Sequence, residues 1–136
     1  MELAKALAIS AAGMQAQSGR LRVVAQNLAN ADSTASTRGG TPYRRRTVTF
    51  GERLDPKTGA RLVEITGEGV DDSPFRTRYE PGNPAANAKG YVELPNVDPI
   101  IETMDMRDAE EIYAANLQVL QAARGMLTRT IDLLKQ

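Results

Sequence analysis

Hydrophobic residues recur at alternating spacings of three and four at both ends of the chain, and this regularity is missing from the middle. Near the C-terminus, Asp98 can act as an N-cap and Pro99 suits the first position of a helix. The sequence therefore predicts a helix from Pro99 to about Leu134, with a length of about 54 Å. One face of it has coiled-coil spacing. This first seam contains Met106, Ala109, Tyr113, Asn116, Leu120, Ala123, Leu127, Thr130 and Leu134.

A second apolar stripe lies beside the first on the same predicted helix. This second seam contains Ile112, Ala115, Val119, Ala122, Met126 and Leu133. A helix with two adjacent apolar stripes needs more than one helical neighbour to cover them. The pattern alone leaves a hairpin within one chain and packing between chains equally open. The presence of two stripes favours additional contacts between chains.

The start of the chain supplies one such neighbour. Residues 3 to about 29 predict a helix of roughly 40 Å, because seam positions again alternate by four and three. That seam contains Leu3, Leu7, Ser10, Met14, Gln17, Leu21, Val24 and Leu28. We expect an assembly interface built from large seam residues of both helices. These residues are Leu3, Leu7, Met14, Leu21, Val24, Leu28, Ile112, Tyr113, Val119, Leu120, Met126, Leu127 and Leu134.

Between the helices the sequence predicts a linker and a small β-rich region. The first helix is expected to fray from Asn27 to Asn30. The polar residues that follow, 31–43, have no periodicity, which is typical of a segment that is disordered in isolation or ordered only by a partner. Short strands are predicted near 47–50, 60–66, 75–79 and 90–95. The first two should form a hairpin around a turn at 55–59.

These elements predict an α+β fold in which long N- and C-terminal helices pair as a coiled coil, with a small β-rich insert between them. The expected divisions are an N-terminal helix in 1–30, a polar linker in 31–43, a β-rich middle domain in 44–97 and a C-terminal helix in 98–136.

Composition argues against several classes of function. The 136 residues include 17 basic and 17 acidic side chains, so no global field indicates a nucleic-acid partner. We expect Arg44, Arg45 and Arg46 at a solvated strand edge or in a charged contact between subunits. The chain contains no Cys and no His, which removes disulfides, thiol chemistry and the commonest general base.

Acidic residues are the remaining candidates for site chemistry. Asp71 and Asp72 are expected to cap a turn locally. A second acidic group should solvate the outer face of the C-terminal helix near its positive end. It contains Asp105, Asp108, Glu110 and Glu111. Because the chain has no His, no serine in a nucleophile motif and no glycine-rich strand-to-helix turn, we expect no catalytic site, cofactor or small-molecule substrate. Neither acidic group has the spacing of a calcium loop, so we also expect no metal.

The N-terminus is expected to be retained in the mature protein. The alanine-rich stretch 6–12 is interrupted by Ser10, and the seam pattern continues through it, which is not typical of a cleaved signal peptide. No apolar run approaches the length of about 20 residues that a membrane-spanning helix needs.

Several short motifs resemble those of the bacterial flagellar rod and hook proteins, a family of axial proteins. They lie in order at residues 27–34, 40–45, 72–75, 79–84, 90–92, 95–99 and 113–116, so the resemblance covers essentially the whole chain. The segment that follows the N-terminal helix carries the family motif, represented here by Asn27, Asn30, Pro42, Tyr43 and Arg44.

This resemblance implies a structural subunit of the proximal rod of the flagellar basal body, which assembles helically in the periplasm and transmits torque for motility. It implies export through the flagellar type III apparatus without signal cleavage, and terminal helices that form an inner helical tube domain. The implied neighbours are copies of the chain itself, the rod proteins FlgB and FlgF and, at the base, the adaptor FliE. From the residues alone, the alternative is a soluble coiled-coil adaptor or secretion chaperone that forms a closed dimer.

Overall fold

Along the chain, one long helix precedes four strands and a second long helix follows them. The computed structural model describes residues 2–136; Met1, the first residue of the expected range 1–30, lies outside the described residues. The elements are α1 (Glu2–Ala29), β1 (Arg46–Leu54), β2 (Arg61–Val70), β3 (Arg76–Tyr79), β4 (Tyr91–Leu94) and α2 (Pro99–Leu134). The predicted α+β fold is confirmed, with both helices close to their predicted bounds.

The start of α2 has the predicted cap. Oδ1 of Asp98 accepts a hydrogen bond from the backbone N–H of Ile100 at 2.9 Å, and its backbone carbonyl accepts one from Glu102 at 3.0 Å. The first bond satisfies an amide group that has no partner within the helix, and the second is the first i→i−4 bond of α2. Pro99 is the first helical residue, where its missing N–H is not needed.

The strands form two separate two-stranded sheets, β1–β2 and β3–β4. In the first, the predicted turn is confirmed: Asp55 N–H donates to the Ala60 carbonyl at 2.8 Å, and Gly59 adopts a φ of 69°. The second sheet is antiparallel, and its register pairs Arg76 with Leu94 and Tyr79 with Tyr91. β1 and β2 continue past their predicted ends through 51–54 and 67–70, where nearly all residues are exposed and the sequence therefore has no alternating hydrophobic pattern.

The chain forms two compact units. Unit 1 comprises the residues up to Leu21 together with Val48–Gly67 and Arg107–Gln136, and unit 2 comprises Arg22–Thr47 and Glu68–Met106. The buried hydrophobic residues of unit 1 are Ala16, Ala60, Leu62, Ala109 and Ala123, and those of unit 2 are Val23, Val24, Ala31, Ala86, Val92, Leu94 and Val97.

Within unit 1 the two helices pack side by side in antiparallel directions. Gly13 lies against Asn116, and the guanidinium of Arg20 lies 3.0 Å from the carboxylate of Asp108. Ile65 of β2 packs against α1 at Gly19, where a Cβ would lie 2.4 Å from the Ile65 Cδ1 atom. The hairpin β1–β2 therefore packs closely against α1 at Gly19.

Within unit 2, hydrogen bonds hold the segment 31–43, which contains no helix or strand. The guanidinium of Arg76 donates to the Ala31 carbonyl at 2.8 Å, and that of Arg38 donates to the Ala86 carbonyl at 3.0 Å. Such side-chain bonds to isolated carbonyl groups leave no periodic signal in a sequence, so the pattern of residues did not predict them.

Candidate functional site

A fully buried carboxylate lies at the centre of unit 2. Glu102, in the first turns of α2, has an exposed fraction of 0%. Its Oε1 atom accepts a charge-assisted hydrogen bond from Arg45 Nε, and its Oε2 atom accepts one from Asn27 Nδ2 at 3.2 Å. A buried charge needs an opposite charge and hydrogen-bond partners to offset its desolvation, and Glu102 has both.

Asn27 connects α1 to the start of β1 through the other bonds of its side-chain amide. Nδ2 donates to the Arg46 carbonyl at 2.9 Å, while Oδ1 accepts from the Arg46 N–H at 2.8 Å and from the Tyr43 hydroxyl at 2.7 Å. The helix ends within the predicted range, at Ala29, but fraying at Asn27 itself is wrong, since this residue is helical and 1% exposed. Its side chain fixes the neighbouring strand instead of ending the helix.

Arg45 is the cation of this network. Besides Glu102, its guanidinium lies 3.7 Å from carboxylate oxygens of both Asp71 and Asp105. The backbone N–H of Arg45 also donates to Asn96 Oδ1 at 2.8 Å. The expected solvated strand edge or contact between subunits is therefore wrong for Arg45, because carboxylates within unit 2 occupy its side chain.

The two neighbouring arginines differ from Arg45. Arg44 stacks over the ring of Phe75 at 4.3 Å and donates to the backbone carbonyls of Asp71 and Ser73, an arrangement that combines a cation–π contact with hydrogen bonds. Arg46 is exposed and lies 3.9 Å from Glu68. Of the three, it is the one that lies at a solvated strand edge.

Burial, hydrogen bonds and charges shift the pKa values of three residues of the network. For Arg45, burial acts to lower the pKa, but the hydrogen bond and charge of Glu102, with Asp71 and Asp105, outweigh it and raise the pKa. For Tyr43, burial is the main cause of a raised pKa, because it disfavours the phenolate. For Asp71, the Ser73 backbone N–H is the main cause of a lowered pKa, with Arg45 adding to it.

The acidic residues of α2 do not all lie on a solvated face. Asp105 is half-buried and approaches Arg45 in unit 2, so the expectation is wrong for Asp105. Asp108 is exposed as expected, although it pairs with Arg20 in unit 1. Glu110 and Glu111 are exposed as expected. The local cap at Asp71 is confirmed, since its Oδ1 accepts the Ser73 N–H at 2.8 Å.

The first seam of α2 and the seam of α1 are partly covered within the chain. Val24 is buried, and Leu127 and Leu134 are exposed at 42% and 83%. The other expected interface residues of these seams are half-buried, namely Leu3, Leu7, Met14, Leu21, Leu28, Tyr113 and Leu120. The exposed fraction of the large residues in the first seam thus increases towards the C-terminus of α2.

The second seam of α2 is exposed in unit 1. Ile112, Val119 and Met126 are 37%, 51% and 53% exposed, and Leu133 is 70% exposed. Ala115 and Ala122, between them, are exposed as well. Large apolar side chains repeated along one face of a helix, without a neighbour to cover them, mark an interaction surface. We call this face the outer stripe.

The structure places the family-motif residues together in unit 2. Asn27 and Pro42 are buried, while Asn30, Tyr43 and Arg44 are half-buried. Glu102 was not predicted as a buried residue, although it extends the first seam by one step of four before Met106. That spacing was the available signal for an inward-facing side chain.

Neither metal chemistry nor a membrane span is indicated within residues 2–136. No three acidic side chains of the described chain come together in a group that could hold a metal ion. In the same residues, neither helix combines the length and the apolar character required to cross a bilayer.

Comparison with known proteins decides the family. A family model described as "Flagellar basal body rod FlgEFG protein C-terminal" matches residues 88–133. The chain is 50% identical over 133 residues to the flagellar basal-body rod protein FlgC of Agrobacterium fabrum, covering 98% of this chain and 96% of the relative. The chain belongs to the FlgC family of flagellar basal-body rod proteins.

More distant relatives agree over the same extent. The FlgC protein of Escherichia coli O6:H1 is 39% identical, with 98% of each chain covered. The FlgC protein of Bacillus subtilis is 34% identical over 142 residues, covering 93% of this chain and 95% of the relative. Membership in the FlgC family makes this chain a structural rod protein of the flagellar basal body, and none of these relatives is named as an adaptor or chaperone.

Proposed function

We propose that this rod protein forms the proximal rod by helical assembly with copies of itself and with other rod proteins, and that the assembled rod transmits torque for motility. The observation that carries the proposal is the outer stripe of α2. Ile112, Val119 and Met126 repeat every seven residues on a helix whose first seam is partly covered within the chain. A neighbouring chain would cover the second seam.

The energetics suit repeated contacts between subunits. Burying a large apolar side chain completely contributes about 1.5–3 kcal/mol, so covering the exposed half of each stripe residue contributes roughly half of that. We propose that the complement of the stripe lies elsewhere on the next copy, which makes the contact heterologous instead of the stripe-to-stripe contact of a closed dimer. A heterologous contact that does not close into a ring generates a helical filament.

The proposed interface includes the large seam residues of both helices that are half-buried or exposed in one chain. The proposed neighbours are other copies of the chain, FlgB, FlgF and, at the base, FliE. We propose a location in the periplasmic part of the basal body, reached through the flagellar type III export apparatus. We propose that the chain has no catalytic activity and no cofactor, because its function would lie in surfaces that pack against other chains.

The experiment that tests this proposal replaces Val119 by Asp in cells that lack the native protein. The side chain is 51% exposed in one chain, so the variant should fold with a stability within about 0.5 kcal/mol of the original. In an assembled rod the new carboxylate would be buried without a partner. We expect loss of swimming in soft agar and absence of complete rods from purified basal bodies.

Gln118→Asp is the matched control, because it introduces the same charge one position away from the stripe on an exposed side chain. It should leave swimming close to normal. If Val119→Asp cells swim normally and contain complete rods, the outer stripe is not an assembly surface and the proposal is wrong.

A further inference from the structure

Gly13 of α1 and Asn116 of α2 face each other in unit 1 at a very short separation. A Cβ atom built on Gly13 would lie 2.7 Å from Asn116 Nδ2, 2.9 Å from Cγ and 3.0 Å from Oδ1. All atoms of the amide group therefore occupy the space that any other residue would need for its Cβ. The backbone of α1 approaches α2 closely here because position 13 has no side chain.

The amide of Asn116 is held in this place. Its Nδ2 atom donates a hydrogen bond to the Ile112 carbonyl one turn earlier in α2, at 3.1 Å. Asn116 is also a polar residue in an otherwise largely apolar seam, between Tyr113 and Leu120. A polar side chain at a seam position is known to select one register of a helix pair at some cost in stability.

We propose that Gly13 and Asn116 together determine the register in which α1 and α2 pair. If α1 slipped by one heptad, Ala6 or Arg20 would stand opposite the amide, and the Cβ of either residue would collide with it. Because Gly13 has no Cβ, it leaves room for the Asn116 amide in one register only. This inference concerns pairing within one chain, so it stands or falls separately from the assembly proposal.

The register has a functional consequence, which rests on the proposed function. Seven residues bring a helix back to nearly the same direction, so a slip of one heptad leaves the same face of α2 against α1. In the observed register, Val119 and Met126 face outward. A slipped pair would present this stripe to the next subunit displaced by about 10 Å along the axis relative to α1.

The register can be measured directly in the purified full-length chain. Since the chain contains no Cys, spin labels can be attached at Gln15→Cys and Gln118→Cys, two exposed positions in unit 1. Pulsed dipolar spectroscopy should give one narrow distance distribution for the otherwise unchanged chain. For Asn116→Ala, which removes the obstructing amide, we expect additional populations, because a slip of one heptad displaces the helices by about 10 Å along their axes. A single unchanged distance in Asn116→Ala, or no defined distance in the unchanged chain, overturns the proposal.

A glycine series provides the matched control. Gly125 also lies within a helix, but nothing lies within 4 Å of a Cβ built there. Gly125→Ala should raise the melting temperature by about 3–5 °C, because alanine is the better helix former, whereas Gly13→Ala should lower it. The double variant Gly13→Ala/Asn116→Ala, in which the obstructing amide is absent, should regain most of that loss. The proposal fails if Gly13→Ala is as stabilising as Gly125→Ala, or if Asn116→Ala does not rescue it.

Discussion

Charged side chains are usually exposed and large apolar side chains usually buried, and two regions of the molecule depart from this rule. At Glu102 a charged side chain is buried, and in the outer stripe of α2 apolar side chains are exposed. In unit 2 a carboxylate with 0% exposure is buried among hydrogen-bond partners, whereas in unit 1 Val119 and Met126 leave more than half of their surface in water at 51% and 53%. Every buried side-chain nitrogen or oxygen within residues 2–136 has a partner. From this difference we infer that the network of unit 2 is complete within one chain, whereas the helical surface of unit 1 requires neighbours.

The contrast between the two units depends most on Glu102, so removing its carboxylate should have the largest effect on stability. Glu102→Ala should destabilise the chain by about 3–5 kcal/mol. The substitution removes the buried carboxylate that pairs with the partly buried guanidinium of Arg45, and it removes a hydrogen-bond acceptor from Asn27. Urea denaturation followed by circular dichroism measures the change. Glu110→Ala, an exposed glutamate of the same helix, should shift the stability by no more than about 0.5 kcal/mol. Equal midpoints for the two variants would show that the network does not stabilise unit 2.

A smaller effect is expected at Tyr43, whose hydroxyl donates to Asn27 Oδ1 at 2.7 Å. Tyr43→Phe should cost about 1–2 kcal/mol at neutral pH, since it leaves a buried acceptor with one bond fewer. Tyr79→Phe, at a side chain that is 62% exposed, is the control and should change little.

The raised pKa of Tyr43 also makes its contribution depend on pH. The folded state favours the neutral phenol, so this stability is present below the ordinary tyrosine pKa of 10.0 and is lost as pH rises through the raised value. Melting curves of the original chain and of Tyr43→Phe should therefore converge in strongly alkaline solution. A difference that stays constant above pH 10 would contradict the assignment.

The smallest effect should come from Asp71 and appear only in acid. The lowered pKa of its carboxyl group, caused mainly by the Ser73 backbone N–H, means that the folded state favours the carboxylate. That stability is present above the ordinary pKa of 3.8 and is lost as pH falls through the lowered value. Melting temperatures of the original chain and Asp71→Asn should differ near pH 6 and converge in acid, while Asp72→Asn, whose exposed carboxylate has no hydrogen bond within the described residues, should match the original chain throughout.

The helices and the turn between the first two strands could be predicted because their signals are local. Asp98 and Pro99 mark the start of α2 within two residues, and 55–59 contains the residues that the turn geometry requires. The second seam was also visible as a period along the chain. What the period did not show was that Glu102 continues the first seam inward, because an acidic residue near a helix start has a simpler local explanation.

The polar network could not be predicted from the same signals. Asn27 looked like a helix terminator and Arg45 like a surface charge, since each is polar and lies near a change of element. Their actual partner, Glu102, is separated from Asn27 by 75 positions in the chain. Propensity and periodicity describe neighbours in sequence, and they carry no information about which distant polar groups meet.

The sequence by itself determined two long amphipathic helices, two seams on α2 and a family likeness. Helix caps, the spacing of apolar residues and short motifs all depend on residues that are near one another in the chain. The tertiary structure decided which seam is covered, that Gly13 receives the amide of Asn116, and that Glu102 is buried against Arg45. The physical reason is that burial depends on which surfaces come together. A carboxylate can be buried only where the fold brings a cation and hydrogen-bond donors to it, and an apolar stripe remains exposed where the fold brings nothing to cover it.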